Sequence, residues 1–228
     1  MSKVGKYHIT TYSRTSKRFR ESTSDNVAQI EDGLVRLCDM TDDAPFDWFL
    51  VGGVGIDLYL GRMTRFHHDF DIEVPSEQVE DVRDYMEEQG YFLLRKVMTS
   101  NVPRNRRMAV YHEVDPSECS PDNEARFRLV KQSNGQIVGG ELGFLSYIDV
   151  SFTKQQERGV EAGYHGTSFV LPVRYSSDQM VAEVKGHKVR LRNPLYSVRL
   201  KKMFDTEINR FDIDNLKKVI PAHQTGLV

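Results

Sequence analysis

Asp69 and Asp71 stand two residues apart within Asp69-Phe-Asp-Ile-Glu-Val74, where Phe70 and Ile72 flank the acids. Residues two apart on a strand point to the same face, so the two carboxylates project side by side. Like charges held that close repel unless a cation lies between them. Hard oxygen donors of this kind suit Mg²⁺ or Mn²⁺, which take few carboxylates and leave room for substrate phosphates. Upstream, Gly52-Gly53 follows the apolar run Trp48-Phe49-Leu50-Val51 and precedes a helical stretch. Glycine lets the backbone approach a ligand closely, and a helix N-terminus offers free N–H groups to an anion. A third acid, Asp149, sits alone inside the apolar run from Phe144 to Phe152. A lone carboxylate there is costly unless paired. It makes sense as a shared metal ligand or as the base that deprotonates an acceptor hydroxyl. Phosphates at the Gly-Gly turn beside a metal at Asp69 and Asp71 describe a nucleoside triphosphate site.

The elements that position these residues follow from periodicity. Ser24 or Asp25 caps a helix to about Met40, with Val27, Ile30, Leu34 and Leu37 on one face. Trp48 to Val51 is a buried strand, and Val54 to Leu60 is a short helix ended by Gly61. A strand from about Asp69 to Val74 is broken by Pro75. Ser76 then caps a helix with Val79, Val82 and Met86 inside, and Gly90 ends it. Tyr91 to Leu94, Met108 to Val114, Phe127 to Val130, Phe144 to Phe152 and the stretch around Val189 and Leu191 are expected strands, with a hairpin turn at Asn134-Gly135. Pro194 opens a helix carrying Leu195, Val198 and Met203, and a last helix runs from about Asp212 to Val219. The expected architecture is α+β: a mixed, mostly antiparallel sheet with helices on one side and a small helical C-terminal region. Residues 1–23 form a basic arm, 24–192 the catalytic domain and 193–228 the helical region.

Composition narrows the class. The 228 residues carry 31 Lys and Arg against 33 Asp and Glu, a net charge of −2, whereas a dedicated non-specific nucleic-acid binder is clearly basic. No apolar run approaches a membrane span, and the basic N-terminus lacks the apolar core of a signal peptide, so a cytoplasmic location is expected. Cys38 and Cys119 have no metal-ligand spacing and read as reduced structural thiols. The basic arm to Arg20 and the cluster Arg95 to Arg107 are most simply solvated surface. For the cluster Lys185 to Lys202 a phosphate-binding role stands beside that reading. His67 and His68 are adjacent and read as loop or supporting residues rather than ligands. Asp57 reads as an exposed acid on a helix face.

The order apolar strand, Gly-Gly, spacer, Asp-x-Asp and later single Asp resembles the DNA polymerase β-type nucleotidyltransferase superfamily. The stretch Leu50 to Val74, with Asp57-Leu-Tyr-Leu-Gly-Arg62, Thr64-Arg65 and His68-Asp69, is similar to the small aminoglycoside and lincosamide nucleotidyltransferases. The resemblance implies that Gly52 and Gly53 hold the triphosphate and that Asp69 and Asp71 bind two Mg²⁺ ions, with Mn²⁺ as a substitute. Asp149 completes the site as ligand or base, and Arg62 and Arg65 contact phosphate. It implies in-line attack on the α-phosphate with loss of pyrophosphate. These enzymes commonly carry an Arg-x-Lys-Asp-x-x-Asp helix. Here Asn209-Arg-Phe-Asp-Ile-Asp-Asn215 places Phe211 at the Lys and Asn215 at the final Asp, so Arg210, or Lys201 and Lys202 upstream, are the candidates for the missing positive charge.

Three functions follow. The first is transfer of a nucleoside monophosphate, AMP by preference, from an NTP to the hydroxyl of a small molecule such as an aminoglycoside-type antibiotic. A cationic drug wants acids, and Glu113, Asp115, Glu118 and Glu141 are the candidates. The second is a toxin-like nucleotidyltransferase acting on tRNA or a protein, suggested by the basic clusters. The third is a catalytically silent nucleotide-binding module.

Overall fold

A computed structural model describes residues 8–11, 20–98, 108–121, 126–133, 136–137, 147–164, 167–172, 180–203 and 205–220. In chain order the elements are β1 (His8–Thr11), α1 (Ser24–Met40), β2 (Phe49–Val51), α2 (Gly52–Tyr59), β3 (Phe70–Pro75), α3 (Val79–Glu88), β4 (Tyr91–Met98), β5 (Met108–Glu113), β6 (Arg126–Ser133), β7 (Gln136–Ile137), β8 (Tyr147–Gln156), β9 (Gly159–Tyr164), β10 (Thr167–Pro172), β11 (Met180–Val184), β12 (His187–Leu191), α4 (Pro194–Lys202) and α5 (Glu207–Lys217). The strands form one 12-stranded sheet in the order β1-β5-β4-β6-β8-β3-β2-β12-β11, with β9 and β10 added beyond β8 and β7 beside β6. Pairing is antiparallel except between β2 and β12 and between β3 and β8. The expected α+β class with a mixed, mostly antiparallel sheet is what is found.

Alternation along β3 explains how the site and the core share one strand. Phe70, Ile72 and Val74 turn into the main core, while Asp71 and Glu73 take the opposite face. The core face is covered by Ile30, Leu34 and Leu37 of α1 and by Val79, Val82 and Met86 of α3, all buried. A second apolar cluster joins Ile56 of α2 to Leu195 and Val198 of α4 and Ile213, Leu216 and Ile220 at α5 and just beyond it. That cluster seats the C-terminal helices against the helix that Gly52 and Gly53 open.

Several boundaries differ from the sequence reading, each for a local reason. Thr23, not Ser24 or Asp25, caps α1: its hydroxyl accepts from the Asn26 backbone N–H at 3.2 Å. Asn26 is buried in α1, whereas Val27 is only half-buried. The segment after Pro75 begins as a 3₁₀ turn, Ser76–Gln78, without a side-chain cap, and becomes α-helical at Val79. Helix α2 begins at Gly52 itself, with Val51 as its cap residue, so the two glycines are the helix's first turn rather than a turn ahead of it. Helix α5 begins five residues ahead of the expected start at Asp212. Strands β1, β9, β10 and β11 were not expected. β1 lies within the basic arm and pairs with β5, so that arm is in part sheet. Residues 99–107, 134–135 and 138–146, with most of one basic cluster, the Asn134-Gly135 turn and Glu141, lie outside the described residues. Cys38 and Cys119 are free thiols, and burial pushes Cys119 up to about 12.

Leu34 has no exposed surface and sits between α1 and the sheet. Leu34→Ala is expected to cost about 2–5 kcal/mol of stability in denaturant titration.

Candidate active site

The three aspartates singled out by type and spacing converge. Asp71 lies opposite Val51 on one neighbouring strand and opposite Asp149 on the other. Residues directly opposite in a sheet project to the same face. Asp69 and Asp149 are both close enough to act on Asp71 by charge. Burial, then these two carboxylates, push the Asp71 carboxyl up to about 8, while Lys201 and Arg128 pull the other way. The row continues outward: Arg128 of β6 stands opposite Asp149, Leu94 of β4 opposite Arg128, and Glu113 of β5 opposite Leu94. Arg128 holds Asp149 with both arms of its guanidinium, Nε to Oδ1 and Nη2 to Oδ2 at 2.8 Å, and Nη1 reaches the Tyr111 hydroxyl at 3.3 Å. This fork fixes the orientation of Asp149 and compensates its charge.

The Gly-Gly turn lies directly over Asp71. Gly52 has φ +66°, and a Cβ built there would overlap the Asp71 carboxylate. A Cβ on Gly53 would overlap the Arg65 guanidinium and the His67 ring. Both glycines are therefore required by close approach, and Gly52 by its backbone conformation as well. Arg65 donates from Nε and Nη2 to the two oxygens of Asp212, at 2.9 and 3.0 Å, and from Nη1 to Phe66 O at 3.1 Å. Lys201 Nζ meets the same carboxylate at 2.8 Å. Burial would raise the Asp212 carboxyl, but Arg65 and Lys201 outweigh it and hold the group below its ordinary value.

The loop between α2 and β3 is pinned from two sides. Asp57 is fully buried and accepts from Thr64 N at 2.7 Å and Thr64 Oγ1 at 2.5 Å, and it meets His67 Nε2 at 2.7 Å. Asn26 of α1 clamps the His67 backbone, donating to its carbonyl at 3.0 Å and accepting from its N–H at 3.2 Å. The expectation that Asp57 is an exposed acid is thus overturned. It faces inward because three donors of the following loop satisfy it, which makes burial of its charge tolerable. His67 takes the supporting place expected of it, and its neighbour His68 is exposed.

Among the expected phosphate contacts, Arg65 and Lys201 reach the Gly-Gly turn and the carboxylates, whereas Arg62 and Lys202 are exposed. Of the candidates for the missing positive charge, Lys201 is at the site. Arg210 turns outward to Asp205 at 3.3 Å. Lys185, Arg190 and Arg192 of the same basic cluster pair with Asp32, Asp47 and Glu73. Of the expected acids, Glu118 pairs with Arg95, Asp115 accepts from Ser117 N and Oγ at 3.0 and 2.7 Å, and Glu113 is exposed on the row described above.

Sequence reasoning missed Arg128, Asn26 and the pairing of Asp212 with Arg65 and Lys201. The one available signal was Arg128 between Phe127 and Leu129, a charge at an alternate position of an apolar strand. Among the described residues no group of three His, Cys, Asp or Glu side chains is gathered closely enough to hold a metal by itself. The donor set fits a divalent cation that draws its remaining oxygens from substrate phosphate, the usual habit of Mg²⁺. Crowding of Asp71 by like charges is the strain such an ion relieves.

Comparison with known proteins agrees with the fold. The family model for aminoglycoside-2''-adenylyltransferase matches residues 33–134. No curated protein matches the chain. The crystal structure of the lincomycin-bound lincosamide antibiotic adenylyltransferase LnuA is 18% identical, with a TM-score of 0.50, over 88% of this chain and 99% of that one. The crystal structure of ANT(2")-Ia in complex with adenylyl-2"-tobramycin is 13% identical, with a TM-score of 0.49, over 87% and 93%. The chain therefore has a nucleotidyltransferase fold and resembles the antibiotic nucleotidyltransferases.

A carboxyl whose folded-state value lies above its unfolded value costs stability as pH rises through that window. For Asp71 the window runs from about 4 to about 8. Asp71→Asn is expected to raise the Tm of the metal-free protein at pH 8, with the gain vanishing near pH 4. Thermal melts across pH with chelator present measure this.

Proposed function

We propose that this chain, an enzyme of the nucleotidyltransferase type, transfers AMP from ATP to a hydroxyl of a small antibiotic-like acceptor, with Mg²⁺ as the divalent ion. One observation carries the reading: the Gly52-Gly53 helix start lies against Asp71, which is flanked by Asp69 and Asp149. The free N–H groups of that start would cradle the triphosphate. Asp69 and Asp71 would hold Mg²⁺, with Mn²⁺ as a substitute and two ions at full occupancy. Bound there, the ions stabilise charge on the attacking and leaving oxygens.

The protein's own part is positioning and proton transfer. Asp149, aimed by the Arg128 fork, takes the proton of the acceptor hydroxyl. The acceptor oxygen forms a bond to the α-phosphorus, and the bond from that phosphorus to the bridging oxygen breaks, releasing pyrophosphate. Lys201 and Arg65 offset negative charge beside the Gly-Gly turn, and exposed Arg62 and Lys202 would meet the outer phosphates. Glu113, exposed on the Asp149–Arg128–Leu94 row, offers an acidic contact to an amino group of the acceptor. Support for an antibiotic acceptor comes from the family match and from the ligand that the lincosamide enzyme binds.

Incubation with α-labelled ATP, GTP, CTP and UTP, Mg²⁺ and a pool of aminoglycosides, lincosamides and tRNA tests the reading. Label from ATP is expected in a drug. It should fall by about 10³-fold or more in Asp69→Asn and in Gly52→Ala, whose methyl displaces Asp71. Label in tRNA alone, or equal labelling by Asp69→Asn, overturns the proposal.

A further inference from the structure

Asp212 is the unusual charge at this site. It lies on α5, 147 residues from Arg65, is 1% exposed, and holds two cations at once: Arg65 through both oxygens and Lys201 at 2.8 Å. Both cations stand where an anion at the Gly-Gly turn would arrive: Arg65 lies against the Gly53 backbone, and Lys201 acts by charge on Asp71. Lys201 is also steadied by Asn209, whose Oδ1 lies 3.4 Å from its ammonium and whose Nδ2 donates to its carbonyl at 3.4 Å. A flexible lysine is thereby held in one place before any ligand binds.

We propose that Asp212 is a positioning residue for the nucleotide: it aims the Lys201 ammonium and the Arg65 guanidinium at the triphosphate bound by the Gly52-Gly53 turn. This rests on the reading of that turn as the triphosphate site. Asp212 itself touches no substrate. Its effect is to spend the ordering entropy of two long side chains during folding rather than during binding. The C-terminal helices thus complete the phosphate site, although Arg62 and the Asp-x-Asp strand lie far away in sequence.

Charge and positioning predict opposite signs. Asp212→Asn removes a negative charge beside a polyanion, so charge alone tightens triphosphate binding. Loss of aim weakens it. Calorimetric titration of the full-length protein with α,β-methylene-ATP and Mg²⁺, and separately with inorganic tripolyphosphate, reads the difference without turnover. Expected are about tenfold weaker binding in Asp212→Asn and in Lys201→Ala. The double variant should be no more than about threefold worse than the weaker single, because both remove the same interaction. Melting curves report the fold separately. Asp212→Glu keeps the charge at a displaced position and is expected to lose about threefold; it carries the test if asparagine at 212 does not fold. Unchanged or tighter binding in Asp212→Asn, unchanged binding in Asp212→Glu, or fully additive losses would overturn the proposal. Failure of the wild-type protein to bind either ligand would instead overturn the triphosphate reading beneath it.

Discussion

Asp71 is enclosed on three sides by chemistry that resists its charge. Val51 and Asp149 flank it in the sheet, Gly52 passes over its carboxylate, and Asp69 stands two residues away, just ahead of the strand. The register of β2, β3 and β8 sets all of this, since a slip of one residue would turn the carboxylates into the core and Phe70 and Ile72 out of it. The core therefore enforces the site. Ile72 and Val150 are buried because the fold needs apolar surface there, and their burial obliges Asp71 and Asp149 to face the other way. Stability is given up locally for a carboxylate cluster, and the large apolar core on the far face of the same strands supports it.

Around that cluster the cations are divided by task. Arg128 is committed to Asp149, Arg192 to the fully buried Glu73 at 2.5 Å, and Arg65 to Asp212. Arg192 also stacks 3.8 Å from the Phe49 ring, tying the end of β12 to β2. These pairs hold strands and helices in place through short-range directional bonds. Lys201 differs in being a point charge on a flexible stem, bound to Asp212 through its ammonium and near enough to act by charge on Asp71.

The clustered carboxylates and the Gly-Gly turn were legible in the sequence because each depends on local pattern: a two-residue period, a glycine pair, an acid in an apolar strand. The strands around Phe70, Ile148 and Val189 were legible for the same reason. What escaped is non-local. Asp57 looked like a solvent-facing helix acid because its donors, Thr64 and His67, come from a loop whose return path no periodicity encodes. Arg128 and Asp212 each pair with a residue far off in sequence, 21 and 147 residues away. The antiparallel hairpins β9–β10 and β11–β12 lie where polar and apolar residues alternate weakly, so their pairing is set by the sheet they join.

The bond between Arg65 and Asp212 spans most of the chain, and so does the parallel pairing of β12 with β2. Contacts of such long sequence separation carry a large loop-closure entropy and form late in folding. During synthesis the Gly-Gly turn and the Asp-x-Asp strand emerge long before the strand and helices that complete them. The nascent chain thus carries an uncompensated acidic pair and an open β2 edge until its last quarter leaves the ribosome. For that interval β2 is a sheet edge without a neighbour on one side, the kind of open edge that invites pairing with another chain until β12 covers it.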